Sequence, residues 1–292
     1  MAPYHREPPG AATARVPERP ISSGLDLEFV ALSDTGRKRG HNEDYLGHAA
    51  PESLDETQRR GWLFAVADGV GGQELGEVAS RTAVETVVAG FNGAPLGEAH
   101  SSLLARLVQA ANIKVYETGR ATGPGGTAMA TTLVTCGLRY DRVTVAHVGD
   151  SRCYLVRRGH AMALTRDHTV VNDQVRLGVM SARDAARAET RHILSRSLGV
   201  DLFVSVDISE HHVQAGDLLL LCSDGLHGAV SGAEIARAAT QGDTAGSLTE
   251  AARTLIELAN EHDGSDNVSV LLVRIKHVER VGMYRGRPYK LR

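Results

Sequence analysis

The sequence predicts a largely antiparallel α+β domain, and three observations carry that reading. Short runs rich in β-branched and apolar residues recur along the chain, and two of them are separated by a link of hairpin length, Arg139-Tyr140-Asp141. Helical periodicity arrives in pairs of segments rather than after each strand, which argues against a regular βαβ series. The 292 residues, 42% hydrophobic and 23% charged, match ordinary globular composition and suffice to bury a sizeable core in one large domain or two small ones.

The elements follow in chain order. Five of the nine prolines (Pro3, Pro8, Pro9, Pro17, Pro20) lie in the first twenty residues, which show no periodicity, so 1–24 reads as a disordered leader. Strand-like runs occupy 28–32, 62–67, 130–138, 142–148, 153–156, 204–208, 218–222 and 268–275. Helical periodicity occupies 76–91, 101–117, 233–240 and 247–261. In the last, Leu248, Ala251, Ala252, Leu255, Ile256, Leu258 and Ala259 oppose Glu250, Arg253 and Glu257. The stretch 165–199 is polar and mixed, with a short helix at 181–188, and reads as a functional flap or mobile loop. The segment 277–292 sets Arg280, Arg285, Arg287, Lys290 and Arg292 against Glu279 and reads as a solvated basic tail.

Composition excludes several classes. A formal charge of -3 lacks the basic excess of a nucleic-acid-coating protein. No apolar run reaches the ~18 residues that a membrane-spanning helix needs, and the N-terminus lacks the apolar stretch of a secretory signal. Cys136, Cys153 and Cys222 are odd in number, far apart and set in apolar runs, which fits buried, reduced thiols of a cytosolic protein.

Acidic residues recur where strands end. Asp68 follows Leu63–Ala67 and precedes Gly69-Val70-Gly71-Gly72. Asp150 follows the 142–148 run, Asp224 follows Leu218–Cys222, and Asp266 stands just before the last strand. A further group, Arg39-Gly40-His41-Asn42-Glu43-Asp44, comes soon after the first strand. An Asp-Gly pair alone is an ordinary turn; the force lies in the set, each member beside a hydrophobic strand. Carboxylates converging at one end of a sheet cannot all stay ionised unless cations neutralise them. With oxygen ligands and no Cys/His set at zinc spacing, those cations would be hard, Mg²⁺ or Mn²⁺. The glycines beside Asp68 would let the backbone approach an ion, so the Gly69 carbonyl is itself a candidate ligand.

These residues stand in motifs that resemble the metal-dependent protein Ser/Thr phosphatases (type 2C, or PPM), in a compact bacterial form. The matching blocks are Arg39-x-x-Asn42-Glu43-Asp44, Ala67-Asp68-Gly69-Val70-Gly71-Gly72, Gly126-Thr127, His147-Val148-Gly149-Asp150-Ser151-Arg152, Ser223-Asp224-Gly225 and Asp266-Asn267-Val268, in the family's order across 26–276. The resemblance implies a four-layer α-β-β-α sandwich, two antiparallel sheets flanked by helix pairs, with a catalytic domain over 25–276. It implies that Asp68 bridges two metals, that Gly69 serves one and that Asp224 and Asp266 complete the other. Asp44, with Glu43 beside it, would hold metal-bound water. Asp150 with Asp224 would take the third ion that bacterial members often carry, and Arg39 would bind the substrate phosphate through a planar fork. The implied activity is hydrolysis of phosphoserine and phosphothreonine in proteins by a water activated between two Mn²⁺ or Mg²⁺ ions. The implied partners are phosphorylated proteins, Ser/Thr kinases and their substrates, for a cytoplasmic monomer. An alternative is a module of the same fold that senses a phosphoprotein without turnover, or a phosphatase dedicated to one phosphorylated regulator. Retention of Asp68, Asp224, Asp266 and Arg39 favours the catalyst.

Val70 stands where some relatives carry a histidine able to protonate the leaving group, which leaves His41, His147, His168 and His192 as candidates by type, or a water on the third ion. His147 reads as a packed core residue, and His168 and His192 as solvated flap residues. Gly123–Thr127 lacks the GxxxxGK[ST] pattern of a phosphate loop and leads into a strand, so it reads as a plain loop. Ser151 and Ser223 have no GxSxG elbow.

Overall fold

Alternate residues of one strand serve two different cores. In the computed structural model, which describes residues 24–70, 74–121, 129–241, 247–284 and 287–290, strand β3 (Trp62–Val70) is buried on both faces. Trp62, Phe64 and Val66 join one apolar cluster, while Leu63, Ala65 and Ala67 join another. A strand covered on both sides needs apolar residues at every position, which is why this run reads as continuous rather than alternating.

The first sheet runs in the order β1 (Leu25–Asp34), β11 (Val268–Val278), β10 (Leu218–Cys222), β7 (Arg152–Arg157), β8 (His160–Ala163). The second runs β2 (Asp44–Ala49), β3, β5 (Leu133–Arg139), β6 (Arg142–Val148), β9 (Asp207–His212), with β4 (Ala130–Thr131) pairing β3 off the path. Every pairing is antiparallel. Between the sheets lie Phe64, Val66, Val134, Leu155, Leu219, Leu271 and their neighbours. Outside the second sheet pack α2 (Glu74–Asn92) and α3 (His100–Ala121); outside the first pack α7 (Gly232–Gln241) and α8 (Leu248–His262). The expected four-layer α-β-β-α sandwich is therefore present. Cys136, Cys153 and Cys222 are buried and free, as their apolar setting implied. Among the described residues no helix is long and apolar enough to cross a membrane.

Some elements depart from expectation. The run 130–138 is split at Thr132, because Thr131 and Thr132 turn their bonds to Asp68: Thr132 N and Thr131 Oγ1 donate to the Asp68 carbonyl, each at 2.8 Å, and Thr132 Oγ1 accepts from the Asp68 amide at 2.9 Å. The run 204–208 overlaps the strand only at its last two residues; the strand begins at Asp207. Val204 and Val206 pack into the helix-side core instead, and the Gln109 side chain on α3 binds Val204 N and Leu202 O. Strand β2 escaped notice because its apolar content is low, as did the short helix α1 (Leu54–Arg59), capped by Ser53.

The stretch 165–199 is more regular than expected. It holds α4 (Val170–Arg176), α5 (Ala182–Ala185) and a 3₁₀ turn (Glu189–His192), so the helix expected at 181–188 is shorter. Its two limbs are zipped at the base by Val170 N to Ile193 O and Ser195 N to His168 O, each 2.9 Å. At the C-terminus β11 runs on to Val278, and within the segment read as a basic tail β12 (Val281–Tyr284) pairs antiparallel with β13 (Arg287–Lys290). The leader through 23, Gly71-Gly72, the 123–127 loop with its Gly126-Thr127 pair, Arg285 and Arg292 lie outside the described residues.

Candidate active site

Asp68 keeps the parity of Trp62, Phe64 and Val66, so it stands on the inter-sheet face where β3 leaves the core. Asp44 opens β2 directly opposite it in register, and facing cross-strand residues share one face. Ser223, at the end of β10, donates Oγ–H to Asp44 Oδ2 at 2.7 Å and accepts from Ser269 N at 3.0 Å. The bond to Asp44 joins the end of β10 in the first sheet to β2 in the second, the bond from Ser269 ties it to β11, and Asp224 follows at the start of α6 (Asp224–His227).

The Asp266 loop is joined from both sides. Gly225 fits because a Cβ there would lie 2.1 Å from the Asn267 carbonyl oxygen, so the Asp224 turn packs directly on the residue after Asp266. Asn267 donates Nδ2–H to the carbonyls of Thr35 and His41, each at 2.9 Å, and accepts from Glu43 N at 2.9 Å. It thereby fixes the loop that carries Arg39, whose Nη2 donates to Asp266 Oδ2 at 2.9 Å. Gly69 has a further reason besides the one expected from sequence: a Cβ there would lie 2.1 Å from the Gly76 carbonyl oxygen, so α2 closes on the turn behind Asp68. Asp150 follows Gly149 after β6, and its carbonyl accepts from His227 Nε2 at 2.9 Å.

The carboxylates perturb one another. Burial, reinforced by the charges of Asp44, Asp224, Asp150 and Asp266, pushes Asp68 well above the usual carboxylate range. Burial pushes Asp44 up to about 7, against hydrogen bonds from Ser223 and Ser269. Asp150 is likewise pushed up to about 7, first by burial and then by Asp224 and Asp167. Burial would raise Asp224 too, but the His192 ring and His227 hold it below its ordinary value. Asp44 Oδ1 and Asp224 Oδ1 are buried and, among the described residues, meet no hydrogen-bond donor. Crowded carboxylates that would otherwise hold protons, together with two orphaned buried oxygens, are a donor set suited to hard divalent cations.

An open cavity of about 510 Å³ adjoins this cluster, lined by Arg39, Arg191, His192, Asp224 and Asp266 among others. Of the four histidines singled out by type, His192 alone is on its wall, half-exposed, with Nδ1 3.8 Å from Asp224 Oδ2. His41 is exposed and His147 is buried as expected, whereas His168 is buried rather than solvated. Arg39, Asp44, Asp68, Gly69, Asp150, Asp224 and Asp266 thus gather at one end of the sandwich. Sequence reasoning missed the groups that hold them: Thr132, Ser223, Asn267 and His227. Ser223 and Asn267 adjoin Asp224 and Asp266 in sequence, which was the available signal.

Comparison with known proteins agrees with this geometry. The family model described as "Protein phosphatase 2C" matches residues 38–261. The serine/threonine phosphatase stp of Listeria innocua is 36% identical over 260 residues, spanning 87% of this chain and 96% of that protein. The crystal structure of the Mycobacterium tuberculosis serine/threonine phosphatase PstP/Ppp superposes with a TM-score of 0.75 at 33% identity, covering 86% of this chain and 99% of its own. A structure of the PstP catalytic domain in complex with two manganese ions gives a TM-score of 0.72 at 32% identity, covering 86% of this chain and 98% of its own.

Proposed function

Because the chain belongs to the protein phosphatase 2C family, we propose that it hydrolyses phosphoserine and phosphothreonine in proteins with the aid of two Mn²⁺ or Mg²⁺ ions. The observation that carries the reading is the facing pair of buried Asp44 and half-buried Asp68 with Asp224 and Asp266 beside it, two of whose oxygens lack a donor among the described residues. Asp68 would bridge the ions, with the Gly69 carbonyl on one and Asp224 and Asp266 on the other. Asp150 with Asp224 would take a third. When bound, the ions would supply a water of lowered pKa as nucleophile and neutralise charge on the transferring phosphoryl group.

The chain's own residues bind and orient. Ser223 occupies Asp44 Oδ2, leaving Oδ1 to accept from the ions' hydration shell. Arg39, held at the cavity wall by one bond to Asp266, keeps the rest of its guanidinium fork for phosphate oxygens. Arg191 and His192 place the flap across the same cavity, where a phosphorylated segment would enter. The partners that suit this site are phosphorylated proteins, Ser/Thr kinases and their substrates among them, and three buried free thiols suit a cytoplasmic setting.

The test is hydrolysis of p-nitrophenyl phosphate and of a phosphothreonine peptide with Mn²⁺, with Mg²⁺ and with EDTA, beside Asp224→Asn. Metal-dependent turnover lost in the variant is the expected result. A folded wild-type protein with no turnover under either ion would replace the catalyst with a phosphoprotein-sensing module.

A further inference from the structure

Outside the cavity, His147, His168 and Asp207 form a cluster in which one ring nitrogen from each histidine and one carboxylate oxygen lie within 4.8 Å of one another. The two rings stack with centroids 4.7 Å apart, and both are buried. The spacing suits a metal, but the bonds around it do not. Gly149 N donates to His168 Nδ1 at 3.2 Å, so that nitrogen carries the lone pair and the proton of the neutral ring sits on Nε2. His168 Nε2 then carries the proton and has no lone pair to offer a cation; it lies 3.3 Å from Asp207 Oδ2 without an aligned hydrogen bond among the described residues. The other Asp207 oxygen accepts from Arg196 Nη1 at 2.9 Å, and His147 Nε2 is engaged by the Arg166 backbone, 2.8 Å from its carbonyl oxygen and 3.3 Å from its amide nitrogen.

What the cluster does is join two parts of the chain. His168 N donates to Gly149 O at 2.9 Å, so the backbone and the ring of His168 both grip residue 149. Gly149 has φ +102 and a Cβ there would meet Thr132 at 2.7 Å, a conformation and a fit that belong to glycine. The next residue is Asp150. On its other side, His168 O accepts from Ser195 N at 2.9 Å, the bond that zips the base of the flap. One buried histidine of the flap's first limb is therefore bonded at once to the Asp150 turn and to the flap's second limb. Burial, then the neighbouring His147 and Arg196, push His168 below its ordinary value against the opposing pull of Asp207, the direction that favours the neutral ring the Gly149 bond requires.

We propose that His168 is a positioning residue that latches the base of the flap to the Gly149–Asp150 turn, so that flap opening and ion occupancy at Asp150 are linked. The latch stands on the bonds above; the linkage rests on the proposed reading of Asp150 as an ion ligand. By reciprocity, an ion that holds Asp150 in place slows flap opening, and an open flap weakens the ion.

The experiment separates the two parts. Arg176, Arg183, Arg187 and Arg191 are exposed on the flap, so limited trypsin digestion of the metal-free protein reads its opening. His168→Asn keeps an acceptor near the Nδ1 position; His168→Gln carries its amide out toward Asp207 and loses it. Asn is expected within about twofold of wild type and Gln about tenfold faster to be cut, the loss of one buried hydrogen bond. Equal cleavage of Gln and wild type would overturn the latch. Should Gln fail to fold, long-range ¹⁵N–¹H spectra of wild-type His168 decide: an Nε2–H tautomer supports the latch, while an Nδ1–H tautomer or ring signals moved by Zn²⁺ overturn it. In the second arm Mn²⁺ is expected to slow cleavage in wild type and His168→Asn and to have less effect in His168→Gln; equal protection of all three would overturn the linkage. Protection that persists in Asp150→Asn would overturn Asp150 as the ligand and leave the latch standing.

Discussion

Asp44 and Asp68 face each other across the β2–β3 ladder, a direct cross-strand pair of carboxylates at the mouth of the inter-sheet gap. Like charges so placed repel, and here burial removes the solvent that would screen them. Asp68→Asn relieves that repulsion while removing the bridging oxygens. The metal-free protein is expected to gain about 1 kcal/mol, a few degrees in Tm, as turnover falls by about 10³-fold. Calorimetry beside p-nitrophenyl phosphate hydrolysis checks both; a variant both less stable and still active would contradict this assignment.

The raised carboxylates fix a pH dependence. With Asp44 and Asp150 near 7 in the folded protein against 3.8 for an ordinary aspartate, the metal-free fold binds more protons than the unfolded chain between those values. Its stability should therefore rise as pH falls from about 7 toward about 4, the reverse of the usual salt-bridged aspartate. Mn²⁺ needs the ionised forms, so its binding should release protons near pH 7 and weaken below it. Thermal scans of the EDTA-treated protein across that range, and proton release in weak buffer on adding Mn²⁺, measure the two effects.

Arg39→Lys keeps a cation within reach of Asp266 but loses the planar fork. The expected outcome is a KM for phosphothreonine peptide raised about tenfold or more, with the fold and the response to Mn²⁺ unchanged. Steady-state kinetics at saturating Mn²⁺ would show it; an unchanged KM would remove Arg39 from phosphate binding.

Gly69→Ala would drive a methyl group to 2.1 Å from the Gly76 carbonyl oxygen, with backbone rather than a side chain in the way. The turn behind Asp68 must then shift, at a cost of about 1–3 kcal/mol in urea unfolding together with loss of metal-dependent activity. Wild-type stability in this variant would show that α2 yields at no cost.

The chain's local chemistry decided a good deal. The doubly apolar run 62–67 already demanded cover on both faces, and helix pairs were there to supply it. The acids past each strand marked where a site would form, because a strand's end is written in adjacent residues. Tertiary structure decided what no window of neighbours contains. Glu43 meets Asn267 across 224 positions and Ser223 meets Asp44 across 179, so although Ser223 and Asn267 sit in the motifs, the pairings that assemble the carboxylates have no local signature. The run 204–208 misled for the same reason: Gln109, far back in the chain, holds Leu202 and Val204 against α3, and the strand starts at Asp207. His168 reads as a polar flap residue in sequence. Folding buries it against Gly149, and only there does its ring nitrogen acquire a bond to make.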